Sequence, residues 1–148
     1  MLPNAKISEQ SAVLATIDPV SQGVGTAVSG WISASAFERF QALVQVGVFG
    51  ASATVDAKIQ QATSAAGAGA KDITGKAIAQ LLAAGGNNRQ VIIGLRAEEL
   101  DIANSFNYFQ LSVTVGTAAT LIAANVLGGV AKNMPANASN QTGVAQVI

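Results

Sequence analysis

Apolar and polar residues alternate with a period of two through the middle of the chain. Val55, Ala57 and Ile59 alternate with Thr54, Asp56, Lys58 and Gln60. Phe40, Ala42, Val44, Val46 and Val48 alternate with Arg39, Gln41, Leu43, Gln45 and Gly47. Val91, Ile93 and Leu95 repeat the pattern against Gln90, Ile92, Gly94 and Arg96, as do Phe109, Leu111, Val113 and Val115 against Tyr108, Gln110, Ser112 and Thr114. This spacing puts one set of side chains on a single face of a strand. A helix would scatter Asp56 and Lys58 to different sides and leave no coherent apolar stripe. A short strand is predicted at 30–33, and a last one at 119–127 closed by Gly128-Gly129. Turns fall at 50–52 and 85–88, a small-residue loop at 62–70, and a helical turn with Leu100 inward at 97–104. Residues 72–82 fit a short helix or a strand, and Thr74-Gly75 and the neighbouring strands favour the strand. About six to eight short strands without βαβ alternation predict an all-β fold: a single antiparallel β-sandwich or jelly-roll-like domain. Val55, Ala57, Ile59, Val91, Ile93, Leu95, Leu111 and Val113 are expected in one core, with Ile92 outside it.

The ends break the pattern. Residues 1–29 carry Leu2, Ile7, Val13, Leu14, Ile17 and Val20 without a sustained period, and Pro3 and Pro19 interrupt any long helix. The segment is too apolar for a solvated tail. It is expected to be an extended N-terminal arm that leans on a neighbour through Leu2, Ile7, Val13, Leu14 and Ile17, with Trp31 where arm meets body. The alternative is an arm folded back as an edge strand of its own sandwich. The sandwich itself is expected over 30–130. The tail, 131–148, is rich in Asn, Ala and Ser around Pro135 and is expected to be loosely held.

Composition narrows the function. The 148 residues hold eight basic and eight acidic side chains, a net charge of zero. No basic excess exists to neutralise a phosphate backbone, which argues against nucleic acid as a partner. Charged residues make up only 11% of the chain and apolar ones 50%, a balance that favours association. The uncharged stretch 102–131 is long enough to cross a bilayer. Asn104, Asn107, Gln110, Ser112 and Thr114 interrupt it at strand-like spacing, and a spanning helix would bury them in lipid, so no membrane span is expected. The first residues, Met1 to Lys6, lack the basic-then-apolar order of a secretory signal.

Candidate chemistry is sparse. Cysteine and histidine are both absent, which removes thiolate chemistry, the commonest general base and the commonest metal ligand. The segment 67–76 resembles a phosphate loop, but position 70 is Ala where the motif needs Gly, and Ala77 stands where it needs Ser or Thr. Glu98, Glu99 and Asp101 cluster beside Arg96 without calcium-loop spacing. An Arg96–Glu98 pair and an exposed Asp56–Lys58 pair are the simpler expectations. Trp31, Phe106 and Tyr108 could offer a sugar-stacking platform, though such residues more often anchor a core or an interface. No catalytic residue, metal or cofactor is assigned, and an enzyme is not expected.

Two blocks carry a family resemblance. One runs from Gln45-Val-Gly-Val-Phe-Gly through Ala57-Lys-Ile-Gln-Gln to Asp72-Ile-Thr-Gly-Lys76. The other runs from Val91-Ile-Ile-Gly-Leu-Arg-Ala-Glu-Glu-Leu-Asp101 through Phe106-Asn-Tyr-Phe-Gln-Leu-Ser-Val-Thr-Val-Gly-Thr117 to Val126-Leu-Gly-Gly129. Together, over about 30–130, they resemble small head-associated virion proteins of tailed bacteriophages. Gln110 stands where that family tends to have Arg, and Val130-Ala131-Lys132 where it tends to have a basic-aromatic pair, so contacts of those groups do not carry over. The resemblance implies a β-sandwich that decorates or cements the capsid. Its partners would be the major capsid protein or other virion subunits, and it would form a homo-oligomer, a trimer in the first instance. It would be virion-associated after synthesis in the host cytoplasm. A minor tail, connector or head-fibre base protein, or a glycan-binding module, are the alternatives.

Overall fold

The computed structural model describes residues 2–148. A four-residue helix, α1 (Ile7–Gln10), precedes ten strands: β1 (Ser11–Gln22), β2 (Gly25–Val28), β3 (Ile32–Ser33), β4 (Phe37–Phe49), β5 (Thr54–Ala62), β6 (Lys71–Ala77), β7 (Leu81–Leu82), β8 (Arg89–Arg96), β9 (Tyr108–Gly116) and β10 (Thr120–Ala131). Sheet A has the order β1-β10-β4-β8. Sheet B has the order β2-β9-β5-β6, with β3 paired to β9 and β7 to β5. Every pairing is antiparallel.

Four of these pairings are nested: β5 with β6, β4 with β8, β2 with β9, and β1 with β10. The second half of the chain therefore retraces the first as one long ribbon. The ribbon is rolled so that successive pairs fall alternately on the two sheets. That is the jelly-roll winding, and the expected fold class stands.

The period-two faces meet between the sheets. Val55, Ala57, Ile59, Ile93, Leu95, Leu111 and Val113 are buried, Val91 packs against them, and Ile92 is 63% exposed. Phe40 bridges the sheets, with its ring centroid 4.6 Å from Phe109 and 6.4 Å from Phe37. Both spacings suit tilted or edge-to-face aromatic contact. Gly128 is fitted to this packing, since a Cβ there would lie 2.8 Å from Phe37 and 2.9 Å from Leu14. Residues 72–82 contribute strands β6 and β7, and Leu100 is buried between two 3-10 turns.

Three expectations need correction. Val48 was expected inward, but it is exposed and Phe49 is buried instead. Val46 opposes Ile122 while Phe49 opposes Thr120, so β4 carries one extra residue. Such a bulge flips the alternation beyond it.

Residues 2–29 are not an arm separate from the sandwich: Ser11–Gln22 is β1, an edge strand of sheet A against β10, which is the edge-strand alternative. Its register slips between Val13 and Ala15 and again between Ile17 and Val20. Two bulges explain why its apolar spacing shows no sustained period, and Pro19 is tolerated at the second because the strand lies at an edge.

The tail is also held. Ala136 is fully buried, the Gln141 N–H donates to the Val13 carbonyl at 2.8 Å, and the Val13 N–H donates to Asn140 Oδ1 at 2.8 Å. The boundaries at 29 and 131 therefore do not separate the ends from the sandwich.

Candidate interaction surface

The two ends of the chain meet on the β1 side of sheet A. One glutamine orders the N-terminal end. Gln10 Nε2 donates to the carbonyls of Leu2 (3.0 Å) and Ala5 (2.8 Å), and its Oε1 accepts from the Leu2 N–H (2.8 Å). The Lys6 N–H donates to Glu9 Oε2 at 2.7 Å and Ser11 Oγ donates to the Ile7 carbonyl at 2.9 Å, so α1 is closed at both ends. These bonds leave the apolar side chains of Leu2 and Ile7 facing out, 55% and 75% exposed.

They line a groove of about 410 Å³ with Gln10, Ser11, Gly129, Val130, Ala131 and Met134. Val130 has φ +54°, a left-handed conformation that is rare for a β-branched residue and costs about 1–3 kcal/mol. A second groove of about 330 Å³ shares Ser11 with the first and is lined by Val13, Val144, Val147 and Ile148 among others. No charged side chain lines either groove. Leu2, Ile7, Val130, Met134, Val147 and Ile148 thus form one exposed apolar lobe whose side chains carry no charge. Contiguous patches of this kind mark interaction sites.

The structure sorts the six residues expected to touch a partner. Leu2 and Ile7 stand together in the first groove, and Val13 lines the second. Ile17 is buried in the core and Leu14 packs against it, so neither is free to meet a neighbour. Trp31 is half-buried, and its indole edge lies against Gly67 in the loop between β5 and β6. Val130, Met134, Val147 and Ile148 were missed. Val130 lay at the end of the expected sandwich, and the other three were scattered through the segment expected to be a loosely held tail.

The chain has no counterpart among protein-family models, and no curated protein matches it. Among solved structures it is similar to the Triatoma virus empty capsid, at 9% identity over 86% of this chain and 89% of that one, with a TM-score of 0.44. It is similar to the cowpea mosaic virus top component at 12% identity over 91% and 96%, TM-score 0.44. It is also similar to the pili of Bacillus endospore appendages at 10% identity over 88% and 99%, TM-score 0.35. The jelly-roll assignment rests on the strand order itself.

Elsewhere the polar groups are tied to one another. Arg96 pairs with Glu98 at 2.8 Å as expected, Lys76 with Glu99 at 3.0 Å, and Lys71 with Asp101 at 2.6 Å. The Arg96 main-chain N–H and then the Lys76 ammonium hold the Glu99 carboxyl below its usual range. Lys71 and then Asn104 do the same for Asp101. Carboxylates locked in their ionised form are poor general acids near neutrality.

Asp56 and Lys58 do not pair. Lys58 bonds Asp72 at 2.9 Å, and Asp56 accepts from Gln80 at 2.8 Å. Segment 67–76 runs into strand β6 and not into the helix a phosphate loop requires. Lys71 sits 4.1 Å over the Phe106 ring, covering one face of the residue considered for a sugar platform. Among the described residues no group of three or more His, Cys, Asp or Glu is placed to hold a metal. No described helix is long and apolar enough to cross a membrane.

Proposed function

We propose that this chain is a structural virion protein that binds the surface of a phage capsid and stabilises it, and that it has no enzymatic role. The apolar lobe formed by Leu2, Ile7 and the folded-back tail carries the reading. It holds six large aliphatic or thioether side chains in the open, on a chain with only 11% charged residues. A shell protein is the partner that fits, because many copies on one particle let a modest apolar contact act with high avidity. The resemblance of residues 30–130 to head-associated phage proteins supports the same assignment. The jelly roll, an architecture common in capsid and lectin domains, is compatible with it.

The test is attachment to purified particles of the virus that encodes the chain. Deleting residues 2–10 removes Leu2, Ile7 and α1 but leaves β1 and the sandwich intact. The truncated protein is expected to fold and to lose particle binding. Binding as tight as that of the intact chain would overturn the proposal. Copy number separates the capsid from other sites in the particle. A decoration protein should approach the capsomer count, whereas a connector, tail or head-fibre base part should appear in far fewer copies.

A further inference from the structure

Sheet A ends in β8, and this edge is unlike the β1 and β6 edges of the sandwich; the fourth edge, β2, is also uncharged but is only four residues long, and short edge strands pair poorly. At the opposite edge, β1 carries two bulges, Pro19, and the Asn140–Gln141 clamp on Val13. Sheet B ends in β6, whose outer groups include Lys71, Asp72 and Lys76. Bulges, proline and charges are the usual protections against edge-to-edge pairing. By contrast β8 pairs with β4 in unbroken register from Arg89 to Arg96 and has no strand on its other side. Its interior, Gln90-Val-Ile-Ile-Gly-Leu95, holds neither charge nor proline. Ile92 is 63% exposed on its outer face, and a Cβ added at Gly94 would meet nothing within 4 Å.

The main-chain groups that face this edge can be identified. The Gly94 carbonyl accepts from Lys76 Nζ at 2.8 Å, and the Arg96 N–H donates to Glu99 Oε2 at 2.8 Å. Neither Lys76 nor Glu99 lies on β4, so Gly94 and Arg96 point away from it. Backbone groups alternate sides along an antiparallel strand. Gln90 and Ile92 therefore face outward with Gly94 and Arg96, while Val91, Ile93 and Leu95 bond β4.

We infer that β8 is a strand-addition site for β8 of a second copy, related by a two-fold axis through Ile92. Residues opposed across an antiparallel pair must point to the same face. Every register centred on a residue satisfies that condition, but centring on Val91 would require the Asn88 N–H, which the Gly47 carbonyl holds, and centring on Gly94 the Arg96 N–H, which Glu99 holds. Centring on Ile93 would require the Arg96 N–H, which Glu99 already holds. Centring on Ile92 sets Ile92 against Ile92 and Gln90 against Gly94, and uses only the groups of Gln90, Ile92 and Gly94. The Gly94 carbonyl keeps a second lone pair beside Lys76. This register buries the exposed Ile92 against its own copy and joins two four-stranded sheets into one. It also brings Arg89 beside the end of the second copy's β8, from which Glu98 projects. In the single chain Arg89 makes no ion pair among the described residues, and its Nε donates only to the Gly85 carbonyl. Self-association would thus be two-fold at this edge, not the trimer expected from sequence. The inference does not depend on the virion reading.

The test is sedimentation of the full chain across a concentration series. The wild type should form a dimer. Ile92→Glu, on the exposed face, and Gly94→Pro, which removes an edge N–H but none that bonds β4, should each weaken it at least about tenfold with unchanged circular dichroism. The chain has no cysteine, so Ile92→Cys supplies a single thiol. Its Cα would lie ~5.5 Å from its copy, within disulfide reach, and it should cross-link on mild oxidation while Thr74→Cys on β6 should not. A wild type monomeric at every concentration, a trimer, or a dimer indifferent to both edge variants would overturn the inference.

Discussion

The outer faces of the two sheets are built on different terms. On sheet B the polar side chains bond one another across strands. Lys58 and Gln60 both hold Asp72 at 2.9 Å, Gln110 reaches Gln60 at 3.2 Å, Gln80 reaches Asp56 at 2.8 Å, and Thr26 meets Thr114 at 2.8 Å. On sheet A the outward rows are Val13-Leu127-Gln41-Gly94 and Thr16-Asn125-Leu43-Ile92, followed by Ala123-Gln45-Gln90. None of these residues is charged. On the strands of sheet A charge is confined to Asp18, Glu38, Arg39, Arg89 and Arg96. The exposed side of an antiparallel sheet usually carries polar groups that satisfy themselves or water. Sheet B does this. Sheet A, with the terminal lobe at one side and β8 at the other, is the side on which both proposals above place contact.

The sharpest challenge to this contrast lies within one strand. Ile93→Ala on β8 should cost about 2–5 kcal/mol, because the side chain is closed into the core. Ile92→Ala, one residue away, should change the stability of the single chain by no more than about 0.5 kcal/mol. Chemical denaturation of both variants at low concentration checks this, and comparable losses would mean that the outward face is not free.

Val130→Gly comes next. Relief of the left-handed backbone should outweigh the added chain entropy and raise stability by about 1 kcal/mol, while attachment to particles weakens. A thermal melt paired with a binding assay reads both. A loss of stability would remove the case for strain at the groove.

Gln10→Ala should cost about 0.5–1.5 kcal/mol and appear as faster amide exchange confined to residues 2–10. Protection unchanged there would show that the lobe is ordered by something other than the glutamine.

Acid should act on the polar groups of sheet B and its adjoining turns. Asp72 is held low first by Lys58 and then by Gln60, and Glu99 and Asp101 are held low as well. Folded values below the unfolded ones mean that their stabilisation is complete above about pH 4–4.5 and is lost as pH falls through the folded values. Asp72→Asn, Glu99→Gln and Asp101→Asn together should flatten the stability profile below about pH 4. A small effect is expected at Lys58→Met, within about 1 kcal/mol and shrinking with salt, since the Lys58–Asp72 pair is exposed.

Much of the sandwich was legible from alternation. The inward sets on β5, β8 and β9 have unbroken registers where they meet β4 and one another, so counting by twos finds the core. The same counting failed where a strand gains a residue. It placed Val48 inside, and it read β1 as an arm, because two bulges scramble the apolar period of residues 11–22. The candidate surface was half visible. Leu2 and Ile7 stood out as aliphatic residues with no strand to belong to, whereas Val130, Met134, Val147 and Ile148 join them only because the tail folds back along β1.

Sequence by itself determined the strand class, the inward faces of the central strands, the neutral charge and the absence of histidine and cysteine chemistry. These depend on local backbone geometry or on composition alone. Tertiary structure decided which strands pair, where the bulges fall, which carboxylate each lysine meets, that both termini close on one lobe, and that β8 is left without a neighbour. Each of these is a contact between residues far apart in the chain, and no local period encodes it.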